Sequence, residues 1–381
     1  MHVHSRRGFL ARTLGAAWFG ASLLERATLR AAQARAQSKA RLPTLFDIEK
    51  VADGVYAAIA RGRAILNCNA VVIENSKDLL IVDAHAAPSA VFSLVAQIRR
   101  EITAKPVRYI VTTHLHGDHT QGLPAYRSVA PKADIVASVK TRDLLVEMGP
   151  ARLKNTLEAV PRSIENFRSR LSSAKTAEER AYFQEMIAQS REFLEEMRNA
   201  IVEFPNLTFD DHLVIHDKAH ELHLAFRGRG HTSGDIVVFC PQKRVIATGD
   251  LLHSFFPVIG DGYPRDWPGT LKSMGELPFD KVIGGHGAVH HNRERLGQEH
   301  AYFEELIEVV MRAKEQGVPL DRLQQTTTPG TLKSLQNAGY GDYLAGEIKK
   351  HDFRVHLSTH GEVLARGVRD NVAAVFRNID R

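Results

Sequence analysis

Only two cysteines, Cys68 and Cys240, occur among the 381 residues. Two thiols do not make a disulfide framework. Each sits beside a strand-like run, Ala70-Val71-Val72-Ile73 in one case and Val237-Val238-Phe239 in the other, so both are expected to be buried and unpaired. Long apolar runs are also lacking. The mildly apolar stretch at residues 14–24 spans 11 positions, against the roughly 20 that a transmembrane helix needs, which excludes a stable membrane span there. Charge of one sign is scarce once the beginning of the chain is set aside. Residues 1–37 hold six Arg and one Glu, so of 50 basic and 44 acidic residues 44 and 43 remain. So even a balance leaves no basic stripe of the sort nucleic acid requires, and a nuclease loses support.

What the beginning does have is Ser5-Arg6-Arg7-Gly8-Phe9-Leu10, then the short apolar stretch, then small residues ending Ala34-Arg35-Ala36. Charged, apolar and cleavage regions in that order describe a secretion signal over residues 1–37, and the paired arginines describe its twin-arginine variety. Such a route exports folded proteins, so a metal could be loaded before export to the periplasm. With 44% hydrophobic residues, the remainder can bury a large core as one domain or two.

The chemistry is concentrated in Thr112-Thr113-His114-Leu115-His116-Gly117-Asp118-His119-Thr120-Gln121-Gly122. Three histidines and an aspartate within six positions follow Val107–Val111, a run that reads as a buried strand. Imidazole and carboxylate suit zinc and similar divalent metals, and catalytic zinc takes three protein ligands with one position open. Along an extended chain His114 and His116 point the same way and can reach one metal, while Asp118 and His119, past Gly117, can reach a second.

The pattern His-x-His-x-Asp-His with Gly three residues on resembles the signature of the metallo-β-lactamase-fold hydrolases, a superfamily of glyoxalase II, lactonases, ribonucleases, alkylsulfatases and β-lactamases. The chain looks most like their glyoxalase II-like or quinoprotein-relay-type zinc metallohydrolases. The fold this implies is α/β, a four-layer αββα sandwich with the metal site at one edge. Strands predicted at residues 55–59, 69–74 and 79–83, a helix at 88–100, and the strand before the metal loop agree with an α/β layer arrangement. On this reading the superfamily domain covers residues 42–298. It is interrupted at about 141–203 by an insertion of two or three amphipathic helices, poor in glycine, and followed by a C-terminal helical extension over 299–381. The insertion could cover the core, or serve as a lid or as the surface of a homo-oligomer.

Further donors follow further strands. His231 stands in a glycine-rich loop after 221–226, Asp250 after a hairpin over 236–248, and His286 after 281–283. Carried over position by position, the resemblance implies that His114, His116 and His231 hold a first metal and Asp118, His119 and His286 a second, with Asp250 bridging two Zn2+ ions. Asp118 would also serve as general acid/base. Asp83 would brace the metal loop, and His253 would support the ligands from behind them. His85 stands where relatives often carry a small residue. The usual proline before the last histidine is Gly285, expected to loosen that loop, and residues 251–268, rich in Pro, Gly and aromatics, form a candidate substrate wall.

The implied activity is hydrolysis of a small-molecule ester, thioester, lactone or amide by a metal-bridging hydroxide. A β-lactam ranks lower, because dedicated β-lactamases of this fold usually lack an acid at the position of Asp250. Two rivals differ in kind: a mononuclear iron persulfide dioxygenase using the positions of His114, His231 and Asp250, and a non-catalytic module in which the metal is a staple. Seven donors favour hydrolysis, since one iron needs neither His119 nor His286 and a structural metal is closed by four ligands.

Overall fold

A strand pair, β1 (Phe46–Ala52) and β2 (Val55–Ala60), turns at Asp53-Gly54, where Gly54 takes φ +72°. The computed structural model describes residues 43–352 and 355–381, so the secretion signal expected over residues 1–37 lies outside the described residues. β2 continues antiparallel into β3 (Ala70–Glu74) and β4 (Leu79–Val82). From β4 the sheet turns parallel, through β5 (Val107–Val111), β6 (Asp134–Ser138) and β7 (Leu207–Phe209). Helix α1 (Pro88–Glu101) makes the β4–β5 crossover, opening with proline at its first turn and burying Val91, Leu94, Val95 and Ile98 at helical spacing. Its buried face packs with Leu79, Ile81, Ile110 and Ile135 of the sheet.

A second sheet runs β12-β11-β10-β9-β8. It comprises β8 (His212–His216), β9 (Glu221–Phe226), β10 (Ile236–Cys240), β11 (Val245–Gly249) and β12 (Lys281–Gly284). All but the β11–β12 pair are antiparallel. Between the sheets lie Val71, Leu80, Val82 and Val111 from one and Leu222, Leu224, Ile236, Val238 and Ala247 from the other. β4 and β10 have no exposed residue, because strands covered on both faces read as continuous apolar runs. Behind the second sheet, Val237, Phe239, Ile246 and Val282 meet a helical layer containing Trp267, Tyr302, Phe303, Leu306, Val368 and Val372. The order of layers is helix, sheet, sheet, helix, the αββα sandwich expected from the motif.

The insertion is two helices, α2 (Val139–Ser172) and α3 (Ala177–Glu196), joined over residues 173–176. Thr176 and Glu179 close a capping box at the start of the second. Leu153, Val160, Ile164, Ile187, Phe193 and Met197 meet inside the hairpin, together with Ile65 and Ala87 of the sandwich. The apolar stripe therefore covers the sandwich on this side. At the other end of the chain, α4 (Glu294–Glu315), α5 (Tyr340–His351) and α6 (His360–Asn378) supply the outer helices. Strands β1, β7 and β8 carry no strong periodicity. Charged or half-exposed positions interrupt them, and pairing with neighbours is what holds them extended. Among the described residues no helix is long and apolar enough to cross a membrane.

Candidate metal centre

The donors lie just past the C-terminal ends of β4, β5, β11 and β12, both pairs parallel, and in the β9–β10 loop. That is where α/β sheets leave side chains free to converge. Asp83 ends β4 in the left-handed region, φ +66°, a conformation Asp tolerates better than most residues. Its backbone N–H donates to the carbonyl of Val111 at 2.7 Å. Its Oδ1 accepts the backbone N–H of Thr113 at 2.8 Å, and its Oδ2 lies 2.8 Å from Nδ1 of His119. One buried carboxylate thus fixes both the start of the metal loop and the orientation of its last histidine.

The other rings are oriented in the same manner. Nδ1 of His114 lies 3.0 Å from Oγ1 of Thr113. Nε2 of His116 lies 2.8 Å from Oδ2 of Asp261, and Nδ1 of His231 lies 2.9 Å from the carbonyl of Val258. With those nitrogens committed, His114 and His231 turn Nε2, and His116 turns Nδ1, toward one another. The three groups lie within 4.8 Å of each other, and His116 Nδ1 and His231 Nε2 are only 2.7 Å apart. Two acceptor lone pairs at that separation call for a shared proton or cation.

Asp118, His119 and His286 form a second group. Nε2 of His286 is 3.2 Å from Oδ2 of Asp118, and Nε2 of His119 is 3.6 Å from it. Asp250 touches both groups. Its Oδ1 is 3.4 Å from Nε2 of His119, and its Oδ2 is 3.5 Å from Nε2 of His231 and 3.4 Å from Nε2 of His286. The structure therefore brings all seven residues singled out in the sequence into one place. Nε2 of His114, Nε2 of His119 and Oδ1 of Asp250 are buried without a hydrogen-bond partner among the described residues. Such atoms are costly to leave unpaired, and a divalent ion, which these donors suit, would satisfy them.

Burial first, and then the neighbouring histidine rings, hold His114 well below the ordinary histidine range and His231 near 3, so both present neutral lone pairs. For Asp118 and Asp250 burial opposes charge, but the rings of His119 and His286 outweigh it and hold both carboxyls low. Burial likewise opposes protonation of His286, yet Asp250 and Asp118 raise it to about 9. The two carboxylates are thus held charged by neighbouring ring cations, whose place a divalent ion could take.

Around the donors, the expected supports are filled in or changed. His253 accepts the backbone N–H of Phe255 on Nδ1 at 3.0 Å, and its ring centre lies 5.6 Å from that of His286. His85, buried and at φ +64°, sets Nδ1 3.0 Å from the Cys68 carbonyl, and its own carbonyl accepts the N–H of Gly122. Cys68 and Cys240 are free and buried. Cys68 lies beside Asp83 and His119, and burial pushes its thiol up to about 12, so it remains neutral.

Gly285 corrects an expectation: it does not loosen its loop. Its N–H donates to Gly249 and its carbonyl accepts from the backbone N–H of Asn69, while the Asn69 side chain donates to the carbonyls of Gly284 and Gly287. A Cβ there would lie 2.1 Å from Oδ1 of Asp250, so the position has no room for a side chain. Three of the four aromatics of residues 251–268 also turn inward, Tyr263 remaining half-buried. Phe256 and Trp267 join the core, Phe255 stacks on His286, and Val258 is the apolar residue left 55% exposed. Asn69, Thr113, Asp261 and Arg152 escaped the sequence reading, since contacts between distant segments leave no local pattern.

Residues 63–286 match the family model of the metallo-beta-lactamase superfamily. The chain belongs to the metallo-beta-lactamase superfamily. That span contains all seven donors, and the helices from Glu294 onward lie beyond it. Similar solved structures include a metallo-beta-lactamase from Pontibacter korlensis, with TM-score 0.50 and 16% identity over 68% of this chain and 99% of that one. Others are TMB-1, with TM-score 0.49 and 18% identity over 68% and 97%, and the metallo-beta-lactamase DIM-1, with 0.49 and 18% over 69% and 99%. Likeness at such identity concerns the superfamily's fold. Among curated proteins none matches the chain.

Proposed function

We propose that this superfamily member is a dinuclear zinc-dependent hydrolase acting on a small-molecule ester, thioester, lactone or amide carbonyl. The observation that carries this reading is Asp250, whose carboxylate lies within 3.5 Å of ring nitrogens from both donor groups. His114, His116 and His231 would hold one ion and Asp118, His119 and His286 the other, with Asp250 between them. Two divalent ions there would lower the pKa of a shared water and polarise the oxygen of the electrophile.

The chain's own residues do the rest. Asp83, Thr113, Val258 and Asp261 orient four of the five histidine rings, so those four need not reorient during turnover. Asp118, 26% exposed against 6% for Asp250, is the more open of the two carboxylates among the donors. From there it can take a proton from the attacking water and return it to the leaving group.

Metal analysis of the purified protein, with assays on lactones, thioesters, phosphodiesters, sulfate esters and a chromogenic cephalosporin, tests the proposal. About two zinc ions per chain and chelator-sensitive, oxygen-independent turnover of an ester or lactone are expected. A single iron with oxygen consumed in the presence of glutathione persulfide would overturn it. Cephalosporin turnover exceeding that of every ester would move the substrate to β-lactams, and two zincs without any turnover would leave a metal-stabilised binding module.

A further inference from the structure

Two of the three histidines of the first donor group are oriented by one short loop, residues 258–261. The Val258 carbonyl lies against Nδ1 of His231, and Oδ2 of Asp261 against Nε2 of His116. The loop is in turn held by the appended helices. Arg152, on the insertion helix α2, donates through Nη2 to the same Oδ2 of Asp261 at 2.7 Å. From the C-terminal helix α6, Asn378 donates through Nδ2 to the carbonyls of Ile259 and Gly260 at 3.0 Å each, and Arg381, just past the helix, reaches the carbonyl of Asp261 at 3.1 Å.

We propose that Arg152 is a positioning residue that couples the helical insertion to the metal centre, acting through Asp261 on His116. The inference rests on the dinuclear reading of the site. Asp261 oriented by Arg152 accepts the Nε2 proton of His116, which commits the ring to the tautomer whose Nδ1 lone pair faces His231. Without the guanidinium, Asp261 can rotate toward solvent, since both side chains are more than one-third exposed. His116 then gains access to the other tautomer. The insertion thereby contributes to affinity at the first metal position, and not only to cover of the sandwich. Because Arg152 is already paired with a carboxylate, it is spoken for as an anchor for an anionic substrate.

The test is chelator competition with Zn2+ and Co2+ in the absence of substrate, read as two dissociation constants, together with melting of the metal-free proteins. Asp261→Ala should weaken one of the two constants by roughly ten- to hundredfold, the range for ligand-orienting carboxylates. Arg152→Ala should weaken the same constant by a smaller factor, with Arg152→Lys restoring part of the loss. In combination the two alanine variants should be no worse than Asp261→Ala alone, since one acts through the other. Asn378→Ala, which frees the loop from the other side, should shift the constant in the same direction.

Metal affinities unchanged in both Arg152→Ala and Asp261→Ala, with a wild type that binds two metals, would overturn the coupling and leave the hydrolase reading intact. So would a change in KM alone, which would make Arg152 a substrate contact, or a fall in metal-free melting temperature with affinity preserved. A wild type that binds no metal would overturn both.

Discussion

Replacing Asp83 by asparagine separates the fold of the metal loop from its chemistry. Asp83→Ala is the blunter change, because it strands the buried N–H of Thr113 and the Nδ1 proton of His119 together. At about 1–3 kcal/mol for each unsatisfied buried donor, the loss of about 2–6 kcal/mol is a large part of the roughly 5–15 kcal/mol that domains have. Asparagine keeps the shape. Its carbonyl must face the Thr113 N–H at the place of Oδ1, since the reverse orientation would set two donors against each other. Its NH2 then lies where Oδ2 stood, 2.8 Å from Nδ1 of His119. A donor there selects the tautomer with the proton on Nε2, the atom turned toward Asp118 and Asp250. Asp83→Asn should therefore cost only about 1–2 kcal/mol, the difference between charged and neutral hydrogen bonds, while metal affinity at the second position falls roughly ten- to hundredfold. Melting of metal-free protein reads the first quantity, and metal content after dialysis against graded chelator reads the second. Wild-type retention of both metals in Asp83→Asn, or a destabilisation as deep as that of Asp83→Ala, would refute the tautomer argument.

Gly285→Ala should displace Asp250, because the added Cβ meets its Oδ1 at 2.1 Å and Cε1 of His119 at 2.9 Å; a loss of about 1–3 kcal/mol by melting and reduced metal content are expected, and a neutral effect would show that the loop can open. In metal-free protein, His286, raised from 6.5 to about 9, contributes stability that is fully present below pH 6.5 and lost as pH rises through about 9. Its proton must also leave before a metal binds, so affinity should rise across that window; melting and chelator competition between pH 6 and 10 check both, and flat profiles would contradict the assigned charge. Replacing Arg6 and Arg7 by lysine should retain the protein in the cytoplasm in unprocessed form, as fractionation and mass measurement would show; unchanged periplasmic yield would refute the twin-arginine route.

The sequence by itself singled out the candidate donors and their place in the chain. His114, His116, Asp118 and His119 are legible because they share one loop, and a local pattern survives without any knowledge of distant contacts. His231, Asp250 and His286 each follow a recognisable apolar strand, but it was their match in order and setting to the superfamily's later motifs that singled them out. Alternating and continuous apolar runs also gave away the central strands and the insertion helices, since burial imposes those periods directly. Tertiary structure alone decided the rest. Strands such as Leu207–Phe209 and His212–His216 exist because a neighbour pairs with them. Gly285 looked like a loosening and is a fit, because its surroundings come from Asp250, His119 and Asn69, all far away in sequence. Arg152 and Asp261 are separated by 109 positions, and no spacing rule connects them. Ligand chemistry is written in residue types at short range, whereas the orientation of each ring is set by whichever carboxylate or carbonyl the fold brings behind it.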